Sequence, residues 1–212
     1  MIFKILAVGL CLLGFLPLHA QIDSQKVSIS VQFGPSNHKF DDLADFLTNL
    51  SGNNLTKDQR LLNVSGHLSY RFSQDFQTSF VYSFDIGTMD LSNKQNVNYP
   101  QVTYLSNGFG LKLTGFIYNL SYYRMGVSPV IGYSFYSLSQ SEGAIDILPN
   151  ANSSGLSYGV SIDNEVEVLD HIFFLLTAGF DFKKSGTVQS NSTSYSFNSF
   201  NTFLKFGVNF YL

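Results

Sequence analysis

Residues 76 to 86 run Phe76-Gln77-Thr78-Ser79-Phe80-Val81-Tyr82-Ser83-Phe84-Asp85-Ile86. Phe76, Thr78, Phe80, Tyr82, Phe84 and Ile86 share one face, opposite Gln77, Ser79, Ser83 and Asp85. Successive side chains of a strand point to opposite faces, so this period of two reads as a β-strand with one apolar and one polar side. The same alternation continues on either side. Upstream, Val27, Ile29, Val31 and Phe33 alternate with Ser28, Ser30 and Gln32, and Leu62 to Phe72 alternates in the same way. Downstream it recurs near Val102 to Ile117, Tyr122 to Leu138, Gly155 to Leu169, Ile172 to Phe182 and Asn198 to Leu212. The sequence predicts about eight antiparallel strands in an up-and-down barrel.

The connections alternate in length. Gly34 to Arg60, Gly87 to Gln101, Ser139 to Ser154 and Lys183 to Phe197 are long, whereas Ser73 to Asp75, Tyr118 to Ser121 and Asp170 to His171 are short. Long loops at one end and tight turns at the other are the pattern of a transmembrane barrel with both termini on the short-turn side. The long connections are rich in Asn, Ser and Gly, which suits solvated loops where partners dock.

Alternation alone does not say which face points outward. An eight-stranded barrel has an interior only just wide enough for side chains to fill, and the apolar faces carry too many Phe and Tyr to fit there together. Charged residues make up only 13% of the chain, against about 25% in an ordinary soluble domain, while 21 Phe and 12 Tyr occur without any Trp. A surface so poor in charge calls for lipid as its outer solvent, and hydrocarbon permits no open sheet edge, so the strands must close. The net charge of −3, with no basic block, gives a nucleic acid nothing to hold.

Residues 1–20 read as a signal peptide: Lys4, the apolar run Ile5 to Leu16, the breaker Pro17, and Ala20 before a cut at Gln21. Residues 21–26 are then a short periplasmic segment and residues 27–212 the barrel domain. Cys11, the only cysteine, leaves with the signal, which removes disulfides and thiol chemistry from the mature chain.

The last eight residues are Lys205-Phe206-Gly207-Val208-Asn209-Phe210-Tyr211-Leu212. Lys205, Gly207, Phe210 and Leu212 are spaced as in the carboxy-terminal sorting signal of outer-membrane barrels, with Leu212 where Phe is more usual. On this motif and the strand pattern the chain resembles the small eight-stranded bacterial outer-membrane β-barrel proteins. The resemblance implies a location in the outer membrane of a Gram-negative-type bacterium, with lipid and lipopolysaccharide around the wall and the barrel-assembly machinery as a partner. Tyr70, Tyr122, Tyr123 and Tyr211 would serve at the membrane interfaces.

The inward set on this alternation includes Arg71, Lys112, Arg124 and Lys205 with Asp85, Asp163, Glu165, Glu167 and Asp181. Their charges nearly balance, as ions buried in a lumen must. The expectation is a salt-bridged plug, with Arg124 paired across strands to Glu167. A carboxylate ladder of Asp163, Glu165 and Glu167 lining a cation path or metal site is the competing reading. An acyl-transfer site of the lipid A-modifying kind needs Ser, His and an acid together. The histidines do not converge: His38 falls in the first loop, His67 in the lumen and His171 at a turn.

One segment has another period. Leu43, Phe46, Leu47 and Leu50 after Asp42 predict a short amphipathic helix in the first long loop. Its apolar stripe is expected to cover the barrel mouth or loop aromatics such as Tyr99 and Tyr195, or to serve as a docking surface. The function that follows is non-enzymatic: membrane structure, or binding of a surface ligand by the long loops. The alternatives are a narrow gated channel and a lipid A-modifying enzyme. No cofactor is implied.

Overall fold

A computed structural model describes residues 26–51, 57–90, 101–140, 151–190 and 193–212. The predicted signal peptide, residues 21–25 and Tyr99 lie outside the described residues, as does a part of each of the four long connections. Eight strands close in the order β1-β10-β7-β6-β5-β4-β3-β2. They are β1 (Val27–Phe40), β2 (Asp58–Arg71), β3 (Phe76–Asp90), β4 (Gln101–Asn119), β5 (Tyr123–Gln140), β6 (Ala151–Leu169), β7 (Ile172–Ser185) and β10 (Ser199–Tyr211). Every pair is antiparallel, including the closing pair of β1 with β10. A helix, α1 (Asp42–Ser51), follows β1, and a separate hairpin, β8 (Thr187–Ser190) and β9 (Thr193–Ser196), stands between β7 and β10.

Phe33, Phe80, Leu111, Ile131 and Phe206 stand outward, and Leu111 and Ile131 are 62% and 61% exposed. A continuous wall of such residues is a lipid-facing belt, with aromatic rows at its two edges. Tyr82, Phe109, Phe135, Tyr158, Phe182 and Phe200 form the upper row, and Tyr70, Phe72, Phe76 and Tyr122 contribute to the lower. Tyr211 does not join them: it is buried inside, because it alternates with the outward Phe210 and Leu212.

The strands outrun their predicted lengths at the long-loop end. β1 continues to Phe40 and β7 to Ser185, while β8 and β9 occupy much of the fourth loop. A strand needs only about 9–11 residues to cross a bilayer, and β4 and β6 have 19 each. Above the belt the polarity inverts. Thr88, Thr103, Ser137 and Asn152 hold the positions opposite the inward Met89, Val102, Tyr136, Leu138 and Ala151, which are buried. Once the surroundings are water, the apolar side of the same sheet must turn inward.

Closure of β1 on β10 depends on two glycines. A Cβ on Gly34 would lie 2.0 Å from the Leu204 carbonyl oxygen, and one on Gly207 would lie 2.2 Å from that of Val31. Gly207 of the predicted sorting motif thus also sits where the last strand presses on the first. The tight turn between β6 and β7 places His171 in the left-handed region, at φ 66°.

Candidate functional site

Midway along β4 to β6 the inward positions are small, as Gly108, Gly110, Gly132, Ser134, Ser157 and Ser161 show. That wall leaves room for long charged side chains arriving from β1, β3, β7 and β10. They settle at successive levels.

At the short-turn end Glu165 accepts a hydrogen bond from the Tyr211 hydroxyl at 2.8 Å and from the Asn209 amide at 3.3 Å. Arg124 lies opposite Glu165 in the register, with Nη1 3.8 Å from Oε2, and its guanidinium stands 4.4 Å from the Phe173 ring. Arg71 donates to the Tyr211 hydroxyl oxygen at 3.3 Å and lies over Phe116. The predicted pair of Arg124 with Glu167 is therefore corrected: the partner is Glu165, one rung higher on the same face. β5 and β6 are joined by a long connection, so no tight turn fixes their register, and a two-residue shift preserves the face while changing the partner. Glu167 is half-buried at the lower rim, beside a register shift on β6.

One level up, Lys112 Nζ lies 2.7 Å from Asp163, which also accepts from the Thr177 hydroxyl at 2.9 Å and from the Ser128 hydroxyl. Cations and hydroxyls thus satisfy Asp163, and cation, phenol and amide satisfy Glu165. Among the described residues no group of three or more His, Cys, Asp or Glu side chains is placed to hold a metal ion. Above lies a cavity of about 80 Å³ that Lys205 and Asp181 both line. Asp181 accepts from the Asn201 amide, and the Lys205 ammonium stands 4.4 Å from the Phe203 ring centroid.

The upper charged level contains two residues that the alternation did not assign to the lumen. Lys183 donates to Asp85 and, at 3.3 Å, to the Ser106 hydroxyl; Asn63 donates to the same carboxylate at 2.6 Å. His38 Nε2 lies 3.6 Å from Asp85 Oδ1. His38 was expected in the first loop and Lys183 at the start of the fourth. Both continue the inward alternation, His38 two residues beyond Ser36 and Lys183 two beyond Asp181. Simple continuation of the period would have found them.

An apolar layer fills the long-loop mouth among the described residues. α1 directs Leu43, Phe46 and Leu47 into it, against Phe40, Tyr104, Tyr136 and Phe197 from the wall and the hairpin side. Phe46 stacks on Tyr195 with centroids 3.9 Å apart, and Tyr136 stacks on Phe197 at 5.8 Å. The acidic Asp42 and Asp45 suit the first turn of α1, where the helix dipole is positive. Asp42 also accepts from the Ser196 hydroxyl at 2.5 Å, tying helix to hairpin. Outside the lipid zone Lys57 bonds to Asp45 at 3.2 Å, which holds its ammonium pKa above the ordinary lysine value. The apolar stripe of α1 is thus turned inward, onto the mouth and onto Tyr195.

No protein-family model matches the sequence, and no curated protein matches it. Solved structures do share the fold. Neisserial surface protein A is 11% identical, with 88% of this chain and 97% of that chain covered and a TM-score of 0.55. The outer membrane protein OprG from Pseudomonas aeruginosa is also 11% identical, covering 89% of this chain and 98% of that chain with a TM-score of 0.54. At such identities the likeness is one of architecture: the fold is that of small eight-stranded outer-membrane barrels.

Proposed function

We propose that this chain is a non-enzymatic barrel of the bacterial outer membrane that acts through its outer surface, in membrane structure and in contacts made at its external end. The supporting observation is a lumen closed at several levels: Arg124 with Glu165, Lys112 with Asp163, Lys183 with Asp85, and the apolar layer beneath α1. On this reading the ions desolvated in pairs and the apolar lid interrupt an aqueous path through the described residues. What remains available to other molecules is the lipid-facing wall, the polar wall raised above it and the loops. Lys205, Gly207, Phe210 and Leu212 act on this reading as the signal for the assembly machinery, with Phe210 and Leu212 outward and Lys205 and Gly207 inward.

A gated channel is the second reading, and the cavity lined by Lys205 and Asp181 favours it, because such a space is a segment of a path if the lid moves. Conductance in planar bilayers separates the two. The full-length barrel is expected to be silent, and so is a variant with Leu43, Phe46 and Leu47 replaced by Ser, because the ion-paired levels remain below. Current steps in that variant alone would favour the gated channel. Steps in the unaltered protein would overturn the closed-barrel reading.

A further inference from the structure

On three strands the first charged outward position beyond the apolar belt is a cation. β2 passes from Leu62 to Arg60, β1 from Asn37 to Lys39, and β7 from Phe182 to Lys184, all exposed. β1 neighbours β2 directly and β7 across β10, so these cations follow one arc of the barrel. On the other side, β3 to β6 present Thr88, Thr103, Ser137 and Ser154 at their corresponding outward positions, with no cation. None of Arg60, Lys39 and Lys184 makes an ion pair among the described residues, although Asp58 is the register partner of Lys39.

Between Lys39 and Lys184 lies an open groove of about 410 Å³ whose lining includes Phe182 and Phe200 of the upper aromatic row. Asp41 and Asp42 also line it, but Asp41 faces Lys57 at 3.6 Å and Asp42 accepts from Ser196 at 2.5 Å. The groove is apolar where it meets the lipid belt and carries, just above it, the ammonium groups of Lys39 and Lys184, which make no ion pair among the described residues. That order, from apolar to cationic along the outward direction, mirrors a lipid whose acyl chains end in a phosphorylated headgroup.

We propose that Arg60, Lys39 and Lys184 form a binding arc for the phosphate groups of the outer-leaflet saccharolipid, and that this lipid seats on the β2-β1-β10-β7 side of the barrel. Guanidinium and ammonium groups recognise phosphate by charge-assisted hydrogen bonds. The aromatic floor supplies contact for the adjoining sugar and upper acyl chain. The opposite wall, with hydroxyls and the Asn152 amide outward, offers no cation at this height among the described residues, so binding is one-sided. This inference does not depend on whether the lumen conducts.

The test uses the full chain folded in phosphatidylcholine vesicles containing either diphosphorylated lipid A or its dephosphorylated form. Lipid retained through mild detergent extraction is counted by native mass spectrometry. The phosphorylated lipid is expected to be retained selectively, and the triple variant Lys39→Gln, Arg60→Gln, Lys184→Gln is expected to lose about tenfold of that retention. All three side chains point outward, so the variant should keep the fast-migrating unheated gel band of a folded barrel. Lys26→Gln, which removes a cation at the short-turn end of the barrel, outside the groove, should leave retention unchanged. Equal retention of the two lipids, or full retention by the folded triple variant, would overturn the proposal, and an arc built for an acidic protein partner would give that result. Displacement of the lipid by inorganic phosphate alone at comparable concentration would overturn the lipid assignment.

Discussion

Replacement of Asp85 by Asn should be among the most damaging single changes in the lumen, and the reason lies in what it leaves behind. The side chains of Lys183 and Asp85 are 6% and 2% exposed. With the carboxylate gone, the Lys183 ammonium retains the Ser106 hydroxyl at 3.3 Å and no ion-pair partner among the described residues. Removing one partner of a buried ion pair costs about 3–5 kcal/mol, because the surviving charge stays desolvated. Lys183→Met should be milder, about 1–3 kcal/mol, because Asp85 keeps the Asn63 amide at 2.6 Å and has His38 Nε2 at 3.6 Å. The double variant leaves neither charge buried and should be more stable than Asp85→Asn alone, since a buried pair exchanged for neutral groups is often close to neutral. The measurement is equilibrium urea unfolding in phosphatidylcholine vesicles. The chain has no Trp, so the signal is far-ultraviolet circular dichroism together with loss of the compact band on unheated gels. A value for Asp85→Asn within about 1 kcal/mol of the unaltered protein, or two single effects that simply add in the double variant, would refute the reasoning.

Other outcomes follow from the same geometry. Gly34→Ala puts a Cβ 2.0 Å from the Leu204 carbonyl oxygen and should abolish the compact unheated gel band, whereas Gly66→Ala, with its nearest atom at 3.9 Å, should keep it. Phe46→Ala and Tyr195→Ala should couple by about 0.5–1.5 kcal/mol in a double-mutant cycle of urea unfolding, because the two rings stack. Removal of Phe210 to Leu212 deletes the pairing of Phe210 with Ile29 and the Tyr211 hydrogen bond to Glu165. Cell fractionation should then show export without outer-membrane assembly, whereas Leu212→Phe should assemble normally. Normal outer-membrane levels of the truncated chain would count against the sorting reading.

The number of strands and their faces were legible because one physical rule governs the whole lipid zone. Every residue there is either in hydrocarbon or in a packed polar interior, so Phe76 to Ile86 and Leu62 to Phe72 each declare their faces. The rule stops at the membrane surface while the hydrogen-bonded ladder does not. In β1 the outward residues beyond Pro35 are Asn37 and Lys39, and the inward one at the top is Phe40. A reader following apolar residues outward sees the pattern dissolve after Phe33 and places a loop there. In the structure the alternation persists with its sign reversed. α1 was legible for a related reason: its period of about 3.6 is independent of which solvent surrounds the barrel.

Which lumen charges meet was less legible, because face and register are separate pieces of information. The period of two placed Arg124, Glu165 and Glu167 on one side, but only the hydrogen-bonded ladder between β5 and β6 selects Glu165 over Glu167. Residues joined by a tight turn inherit their register from it, as Tyr70 and Thr78 do across the short connection between β2 and β3. Asp85 and Lys183 have no such link. They come from β3 and β7, which are not neighbours in the wall, and meet across the barrel interior over a separation of 98 residues. Their meeting depends on the accumulated stagger of every intervening pair, together with the small inward residues of β4 to β6 that leave the space open. A change at Gly132, where a Cβ would come within 2.5 Å of the Phe109 carbonyl oxygen, should therefore disturb the Asp85–Lys183 pair without touching either residue.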